Sequence, residues 1–265
     1  MPETEPSGPK SVGQNQLADS GLDTSSPQNR RRAAETPEVD KDDLQISGFG
    51  WLNRVLTHAP RHNKFFDVFS RIYDIPLLQR AIYHPVHDAV FDVLRTASPG
   101  SVLDVGCGTG ILLTRLASLS SVSLVGCDYS IGMLEQAQRR AGQDGAAVRF
   151  VQGDGQRLPV RSRAFDAVVT TDAFHWFPSQ DDALAEFKRV LVPGGLLVIA
   201  VSTMTRAASS LLEAATRKAG GAQHFPTRQG LRDRTEAAGF LLVEQRRVAR
   251  LFPVPAVVTV ARAVE

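Results

Sequence analysis

Several features are scarce in this 265-residue chain, and each shortage argues against a class of protein. Only two cysteines are present, Cys107 and Cys127, so a disulfide framework is absent and no metal-ligand spacing is found. No apolar run reaches the roughly 18 residues of a membrane span, and the N-terminus is acidic and polar rather than signal-like. We therefore expect a cytoplasmic protein with no membrane span and no metal site.

Neither sign of charge dominates the composition. The chain has 30 Lys and Arg residues against 28 Asp and Glu residues, which gives a formal net charge of +2. Proteins that bind nucleic acids need clustered positive charge to neutralise phosphates. The sequence therefore predicts no nucleic-acid partner.

The first 43 residues contain no aromatic side chain. They hold five prolines and nine acidic against five basic residues, which leaves too little apolar surface to offset the entropy of ordering. We interpret residues 1–43 as a disordered tail, residues 44–96 as a helical cap and residues 97–265 as the core domain. The cap is predicted from apolar residues at the three- and four-residue spacing of amphipathic helices, such as Phe65, Phe66 and Phe69.

Beyond the cap, short apolar strands alternate with helical patterns. Such alternation predicts an α/β fold, in which helices cover both faces of a mostly parallel sheet. Loops at the carboxyl ends of parallel strands form the ligand sites of such folds, so we expect the functional site along that rim. The predicted strands cover residues 101–105, 123–127, 148–152, 167–171, 196–201, 241–248 and 256–261.

Three glycines at alternate positions, Gly106, Gly108 and Gly110, follow the first strand and its acidic residue Asp104. Glycine is used where a backbone turns sharply or approaches a ligand closely, because it has no Cβ. The dinucleotide-binding fingerprint has glycines at its first, third and sixth positions. Its last glycine would fall on Ile111, so the spacing argues against a dinucleotide.

The stretch from about residue 102 to 199 resembles the class I S-adenosylmethionine-dependent methyltransferases, in the small-molecule branch that contains the ubiquinone/menaquinone and trans-aconitate types. The Gly-x-Gly-x-Gly loop is similar to motif I of that family. Gly155 and Val160 depart from its commoner Ala and Phe. The resemblance implies a Rossmann-like, seven-stranded sheet with an antiparallel last strand, plus the N-terminal helical cap. The further matching blocks are Asp128 after the second strand, Gly153-Asp154-Gly155-Gln156-Arg157-Leu158-Pro159-Val160, Asp172-Ala173-Phe174-His175-Trp176-Phe177 and Pro193-Gly194-Gly195.

The resemblance also implies how individual residues bind S-adenosyl-L-methionine. Asp128 would accept hydrogen bonds from both ribose hydroxyls, Met133 would flank the adenine, and Asp154 would bond its amino group. Asp128 could instead be a helix N-cap, and an Asp-Gly pair such as Asp154-Gly155 is by itself a plain turn signal. The other expected cofactor-binding residues are Asp104, Gly106, Gly108, Gly110, Gly155 and Thr171.

Methyl transfer is an in-line displacement in which the cofactor carries its own leaving group, so the protein mainly supplies alignment. An oxygen nucleophile still needs a proton removed. His175 is the expected base because it follows the fourth strand and has a pKa near neutrality, although the same position can be structural. Tyr73 is the second catalytic candidate. Tyr83, His84 and His87 in the cap could also orient or deprotonate a substrate.

The acceptor is expected to be a hydroxyl, carboxyl or activated carbon of a small, lipophilic molecule such as a lipid, quinone or polyketide. The Asn/Asp-Pro-Pro-aromatic tetrapeptide typical of methylation at a nucleobase amino group is absent at Thr171-Asp172-Ala173-Phe174. Two alternatives stay open. An NAD-dependent oxidoreductase would share the sheet and the acidic residue after the second strand, and a non-catalytic cofactor-binding protein would share the whole fold.

Overall fold

The computed structural model describes residues 83–119, 121–217, 223–248 and 255–264. The helices are α1 (His84–Ala97), α2 (Ile111–Leu116), α3 (Ile131–Asp144), α4 (Gln180–Val190), α5 (Arg206–Arg217) and α6 (Arg228–Ala237). The strands are β1 (Ser101–Val105), β2 (Ser123–Asp128), β3 (Val148–Gln152), β4 (Phe165–Thr171), β5 (Leu191–Ser202), β6 (Phe240–Val248) and β7 (Ala256–Ala263).

All seven strands form one sheet in the order β3-β2-β1-β4-β5-β7-β6. Strands β1 to β5 pair in parallel, and β7 is antiparallel to both of its neighbours, β5 and β6. This confirms the predicted α/β class with a mostly parallel sheet and an antiparallel last strand. The chain runs outward from β1 to β2 and β3 on one side and returns to β4 on the other. The crevice between β1 and β4 is therefore the switch point at which such sheets bind ligands.

Helices bury both faces of the sheet, because neighbouring residues of a strand point to opposite sides. In β1, Leu103 belongs to the apolar cluster that contains Phe187 of α4, and Val102 to the cluster that contains Val90 of α1 and Leu113 of α2. All five side chains of β1 are buried. The central strand is thus fixed from both faces, and so is the loop that follows it.

Two segments differ from their predicted bounds for local reasons. The helical pattern that begins at Ile111 predicts a helix to Leu119, but α2 ends at Leu116 and residues 117–119 do not continue it. Strand β5 begins already at Leu191, but the predicted Pro193-Gly194-Gly195 turn interrupts its pairing, since Phe165 pairs with Leu191 and Ala167 only with Leu196. Gly194 adopts φ +74° there, a backbone conformation that glycine tolerates.

Helix α1 is the described part of the predicted cap. Its buried side chains, Val86, His87, Ala89, Val90 and Leu94, pack into the sheet, and the Ala89 carbonyl accepts a hydrogen bond from Arg246 of β6. Residues 1–82 lie outside the described part, so the tail, the rest of the cap and the candidate Tyr73 stay predictions. Among the described helices, none has the length and apolar character needed to cross a membrane.

Candidate functional site

The glycine loop between β1 and α2 turns through three left-handed residues. Gly106, Gly108 and Gly110 have φ values of +74°, +54° and +75°. A Cβ at Gly106 would collide with the side chain of Ala173, and one at Gly110 would lie 3.0 Å from the Ala137 Cβ. The predicted glycines are therefore needed both for backbone conformation and for close packing.

Asp128 holds this loop in place from the end of β2. One carboxylate oxygen accepts a hydrogen bond from the Gly108 N–H at 2.8 Å, and the other accepts from the Ser130 N–H at 2.9 Å. Helix α3 is capped by Ser130, whose hydroxyl accepts from the Met133 N–H at 3.2 Å. Asp128 is therefore not the N-cap that the alternative interpretation required. Its carboxylate has about four acceptor positions, so further donors can bind the part-exposed group.

Asp104 is the most unusual group of the rim. Its side chain is 1% exposed, and neither carboxylate oxygen has a hydrogen-bond partner in the part of the chain that the structure describes. Burial, and then the negative charge of Asp128, raise the pKa of Asp104 to about 8. A buried carboxylate without a partner is costly. A cationic ligand would offset that cost.

The loop after β3 carries Asp154 and Gly155. The Asp154 carboxylate accepts from the Gln156 N–H at 2.9 Å, and the Gln156 side-chain oxygen accepts from the Ser179 N–H at 2.7 Å. A Cβ at Gly155 would lie 3.0 Å from the Phe177 ring and 3.1 Å from the Val105 side chain. The turn interpretation of Asp154 thus holds locally, and the turn also brings the neighbouring Gly155 beside Val105 of β1.

An ion pair that the sequence did not predict, Glu186 with Arg189, holds the far side of this loop, and we call this pair the clamp. Glu186 accepts from the Leu158 N–H at 2.8 Å and pairs with Arg189 at 2.7 Å. Arg189 in turn donates to the carbonyls of Leu158 at 3.1 Å and Val160 at 2.9 Å. Hydrogen bonds from Arg189 and Leu158 hold the pKa of Glu186 below its usual range although burial opposes them. The three-residue spacing of an acid and a base on α4 was the available signal.

A small pocket lies where the glycine loop meets the end of β4. Thr171, the last residue of β4, lines it together with His87 of α1. The other lining residues are Gly106, Cys107, Thr109, Ile111 and Leu112. Met133, the predicted adenine neighbour, is buried in the first turn of α3 beside Ser130. Cys107 and Cys127 are both free and buried, and burial raises the pKa of each thiol.

His175, the predicted base, lies in a 3₁₀ turn (Phe174–Trp176) four residues beyond β4. Its ring is buried and stacks on Phe225, with centroids 4.3 Å apart and planes at 15°. Its carbonyl accepts from the His224 N–H at 2.7 Å. No sequence pattern indicated that the segment before α6 would lie against this rim. Of the other candidates, Tyr83 and His84 are half-buried at the start of α1.

The residues at this rim suit a sulfonium nucleoside with an amino-acid tail. Asp104 offers an unpartnered, buried carboxylate to an ammonium group, and Asp128 and Asp154 offer acceptors to hydroxyl and amino groups. The glycine loop packs closely against Ala173 and Ala137, so a Cβ at Gly106 or Gly110 would displace it. Within the described residues, no group of three or more His, Cys, Asp or Glu side chains could hold a metal ion.

Comparisons with known proteins agree with this assignment. Residues 103–199 match the family described as "Methyltransferase domain". The chain is 42% identical over 103 residues to the demethylmenaquinone methyltransferase of Deinococcus radiodurans, covering 38% of this chain and 43% of that protein. It is 39% identical over 104 residues to the malonyl-[acyl-carrier protein] O-methyltransferase of Geobacter sulfurreducens, covering 39% of each. The chain thus spans less than half the length of these two curated relatives.

A solved structure shows the same fold over a longer stretch. A chain from the complex of the Haloferax volcanii Trm112 methyltransferase activator with its methyltransferase superposes with a TM-score of 0.61, at 22% identity, over 76% of this chain and 98% of that chain. The matching region coincides with the glycine loop, the acidic residues and the switch point described above. Residues 103–199 therefore match a methyltransferase domain, and the class I methyltransferases that this stretch resembles use S-adenosyl-L-methionine as the methyl donor.

Proposed function

We propose that this protein transfers the methyl group of S-adenosyl-L-methionine to an oxygen or carbon atom of a small, lipophilic molecule. The observation that carries the proposal is the buried, unpartnered carboxylate of Asp104 next to the glycine loop. An isolated buried carboxylate is destabilising, and the cofactor brings the ammonium group that would compensate it. The methyltransferase-domain match over the same residues supports this assignment.

Each end of the bound cofactor has a candidate partner. Asp128, already oriented by two backbone N–H groups, would accept from both ribose hydroxyls. Asp154 would accept from the adenine amino group, and Met133 and Gly155 would pack against the ring. Thr171 and Asp104 would bind the methionine end beside the glycine loop. When bound, the cofactor supplies an electrophilic methyl group with its own leaving group.

The chain's own catalytic contribution would be alignment and proton removal. Fixing donor and acceptor in line contributes about 7 to 11 kcal/mol to lowering such a barrier. His175 is the proposed base for a hydroxyl acceptor, because it lies on the rim after β4 and its ring is fixed by Phe225. A carbon acceptor activated by its own substituents would need no such base. Tyr73 stays a second candidate, outside the described residues.

The turn after β4, where we place the acceptor, is rich in aromatic residues, which supports a lipophilic substrate. Phe174, Trp176 and Phe177 follow β4, and Phe225 closes over His175. The curated relatives named above are described as acting on demethylmenaquinone and on a malonyl-acyl carrier protein, which is compatible with such an acceptor. The net charge of +2 gives no support for a nucleic-acid substrate.

Calorimetric titration tests the cofactor, and product labelling tests the activity. Purified protein should bind S-adenosylmethionine and S-adenosylhomocysteine and show no heat with NADH, the ligand of the rival oxidoreductase interpretation. Incubation with methyl-labelled cofactor and fractionated extracts should then transfer label to an organic-soluble small molecule. His175→Ala should abolish transfer to a hydroxyl while leaving cofactor affinity unchanged. Binding of NADH alone, or label found only in tRNA, would overturn the proposal.

A further inference from the structure

Helix α1 places one polar side chain on an otherwise apolar face. His87 is 5% exposed and lies among Val86, Val90 and Leu94 on the side of α1 that packs into the sheet. Its Nδ1 atom is buried and has no hydrogen-bond partner within the described residues. Buried polar groups normally have a partner. A buried imidazole nitrogen without a hydrogen-bond partner is expected either to bind a ligand or to destabilise the fold.

The surroundings of His87 favour a ligand. Its ring lines the pocket at the β1/β4 switch point, together with Gly106, Thr109 and Thr171. Asp128, the proposed ribose partner, ends β2, which lies on the opposite side of β1 from β4. A cofactor whose nucleoside lies over β2 and whose tail crosses the glycine loop would therefore direct its amino-acid end into the pocket that His87 lines.

The charge state of His87 fits a role in binding rather than in proton transfer. Burial, and then the nearby positive charges of Arg115 and His84, lower its pKa to about 3, and Asp88 opposes this only weakly. The imidazole is therefore neutral near pH 7 and offers one N–H donor. Arg115 forms a salt bridge with Asp88, and its guanidinium lies 5.6 Å from the centre of the Phe91 ring. Both contacts hold the Arg115 guanidinium against Asp88 and Phe91 of α1.

We infer that His87 is a cofactor-binding residue that donates a hydrogen bond to the carboxylate of the cofactor's methionine end, while Asp104 accepts from its ammonium group. The inference rests on the proposed function and deepens it. It assigns the two ends of the amino-acid tail to the Asp104 carboxylate and the His87 Nδ1 atom, which are buried and have no hydrogen-bond partner among the described residues. The tautomer that carries its proton on Nδ1 supplies the donor.

A set of three truncated ligands separates these two contacts. S-adenosylhomocysteine has both the ammonium and the carboxylate, S-adenosyl-3-thiopropylamine lacks only the carboxylate, and 5′-methylthioadenosine lacks both. A hydrogen bond to a charged group corresponds to about 10- to 150-fold in affinity. In the wild type, removing the carboxylate from the ligand should therefore weaken binding at least 10-fold.

Each variant should lose affinity only for the ligands that carry the group its side chain binds. His87→Leu should weaken binding of S-adenosylhomocysteine about 10- to 100-fold and change binding of the other two ligands by less than about twofold. Asp104→Asn should weaken both ligands that have the ammonium and leave 5′-methylthioadenosine unaffected. His87→Asn, which keeps an N–H donor, should recover part of the loss. Val90→Ala, one turn along the same buried face, is the control for a packing defect and should not distinguish the ligands.

Each outcome decides between the alternatives. If the wild type binds none of the three nucleosides, the proposed function fails. If it binds them but the loss of the carboxylate costs nothing, or if His87→Leu weakens all three ligands equally, as a purely structural core histidine would, the assignment of His87 is wrong and the proposed function stands. Should His87→Leu fail to fold, the wild-type comparison and His87→Asn still decide the question.

Discussion

The buried carboxylate of Asp104 makes the stability of the ligand-free protein depend on pH in an unusual direction. Its pKa is raised from 3.8 to about 8 in the folded state, chiefly by burial. Between these two values the folded protein keeps a proton that the unfolded chain releases. Stability therefore falls as the pH rises through this window, by about 1.4 kcal/mol per pH unit.

The expected magnitude follows from the two pH values compared. From pH 5 to pH 7 the contribution of Asp104 to the free energy of unfolding should fall by about 3 kcal/mol, an order-of-magnitude figure that relaxation of the site would reduce. Asp104→Asn carries an uncharged side chain of nearly the same shape and should lack this contribution. Urea unfolding of both proteins at the two pH values measures the difference, since other titrating groups are common to both.

Binding of the cofactor should lower the raised pKa of Asp104. An ammonium group next to Asp104 favours the ionised carboxylate, so binding of S-adenosylhomocysteine near pH 6.5 should release up to about one proton. Calorimetry in two buffers of different ionisation enthalpy measures that release, and Asp104→Asn should release none. Equal pH dependence of stability in the two proteins, together with equal proton release, would refute the argument from the buried carboxylate.

Much of this rim could be predicted because its residues are constrained locally. The alternate glycines at residues 106, 108 and 110 need left-handed backbone conformations, and the apolar strands are buried on both faces, so composition alone indicates them. Asp128 was predicted from its place after β2. Its two backbone donors, Gly108 and Ser130, needed the structure, because the contact with Gly108 joins loops 20 residues apart in the chain.

What could not be predicted depends on contacts distant in sequence. Phe225 stacks on His175, which lies 50 residues earlier in the chain. Sequence periodicity does not indicate contacts at such a separation. His87 was predicted as a residue of the cap that could orient or deprotonate a substrate. The structure places it on the face of α1 that packs against the sheet, where its burial and the unpartnered Nδ1 atom indicate a role in binding. Burial of a polar side chain depends on the whole fold, so sequence patterns reveal it poorly.

Three further substitutions test the geometry of the rim, each with a distinct measurement. Gly106→Ala should cost about 1 to 3 kcal/mol of stability and abolish cofactor binding, because it adds a Cβ at φ +74° where no room exists. Calorimetric titration measures the binding. An affinity near the wild-type value would contradict the close packing of the loop. Asp128→Ala should weaken the binding of S-adenosylhomocysteine at least 10-fold and also release the glycine loop, which faster amide hydrogen exchange of the loop would reveal. Unchanged exchange would show that the carboxylate does not hold the loop. Arg189→Met should lower stability by about 1 to 3 kcal/mol, because it removes the guanidinium donor from the half-buried carboxylate of Glu186 and from two carbonyls. The control is Arg232→Gln, which removes an exposed pair on α6 and should change stability by less than about 0.5 kcal/mol. If both arginine variants unfold at the same urea concentration, the clamp contributes no more than a surface ion pair, and the loop carrying Asp154 must be held by its packing alone.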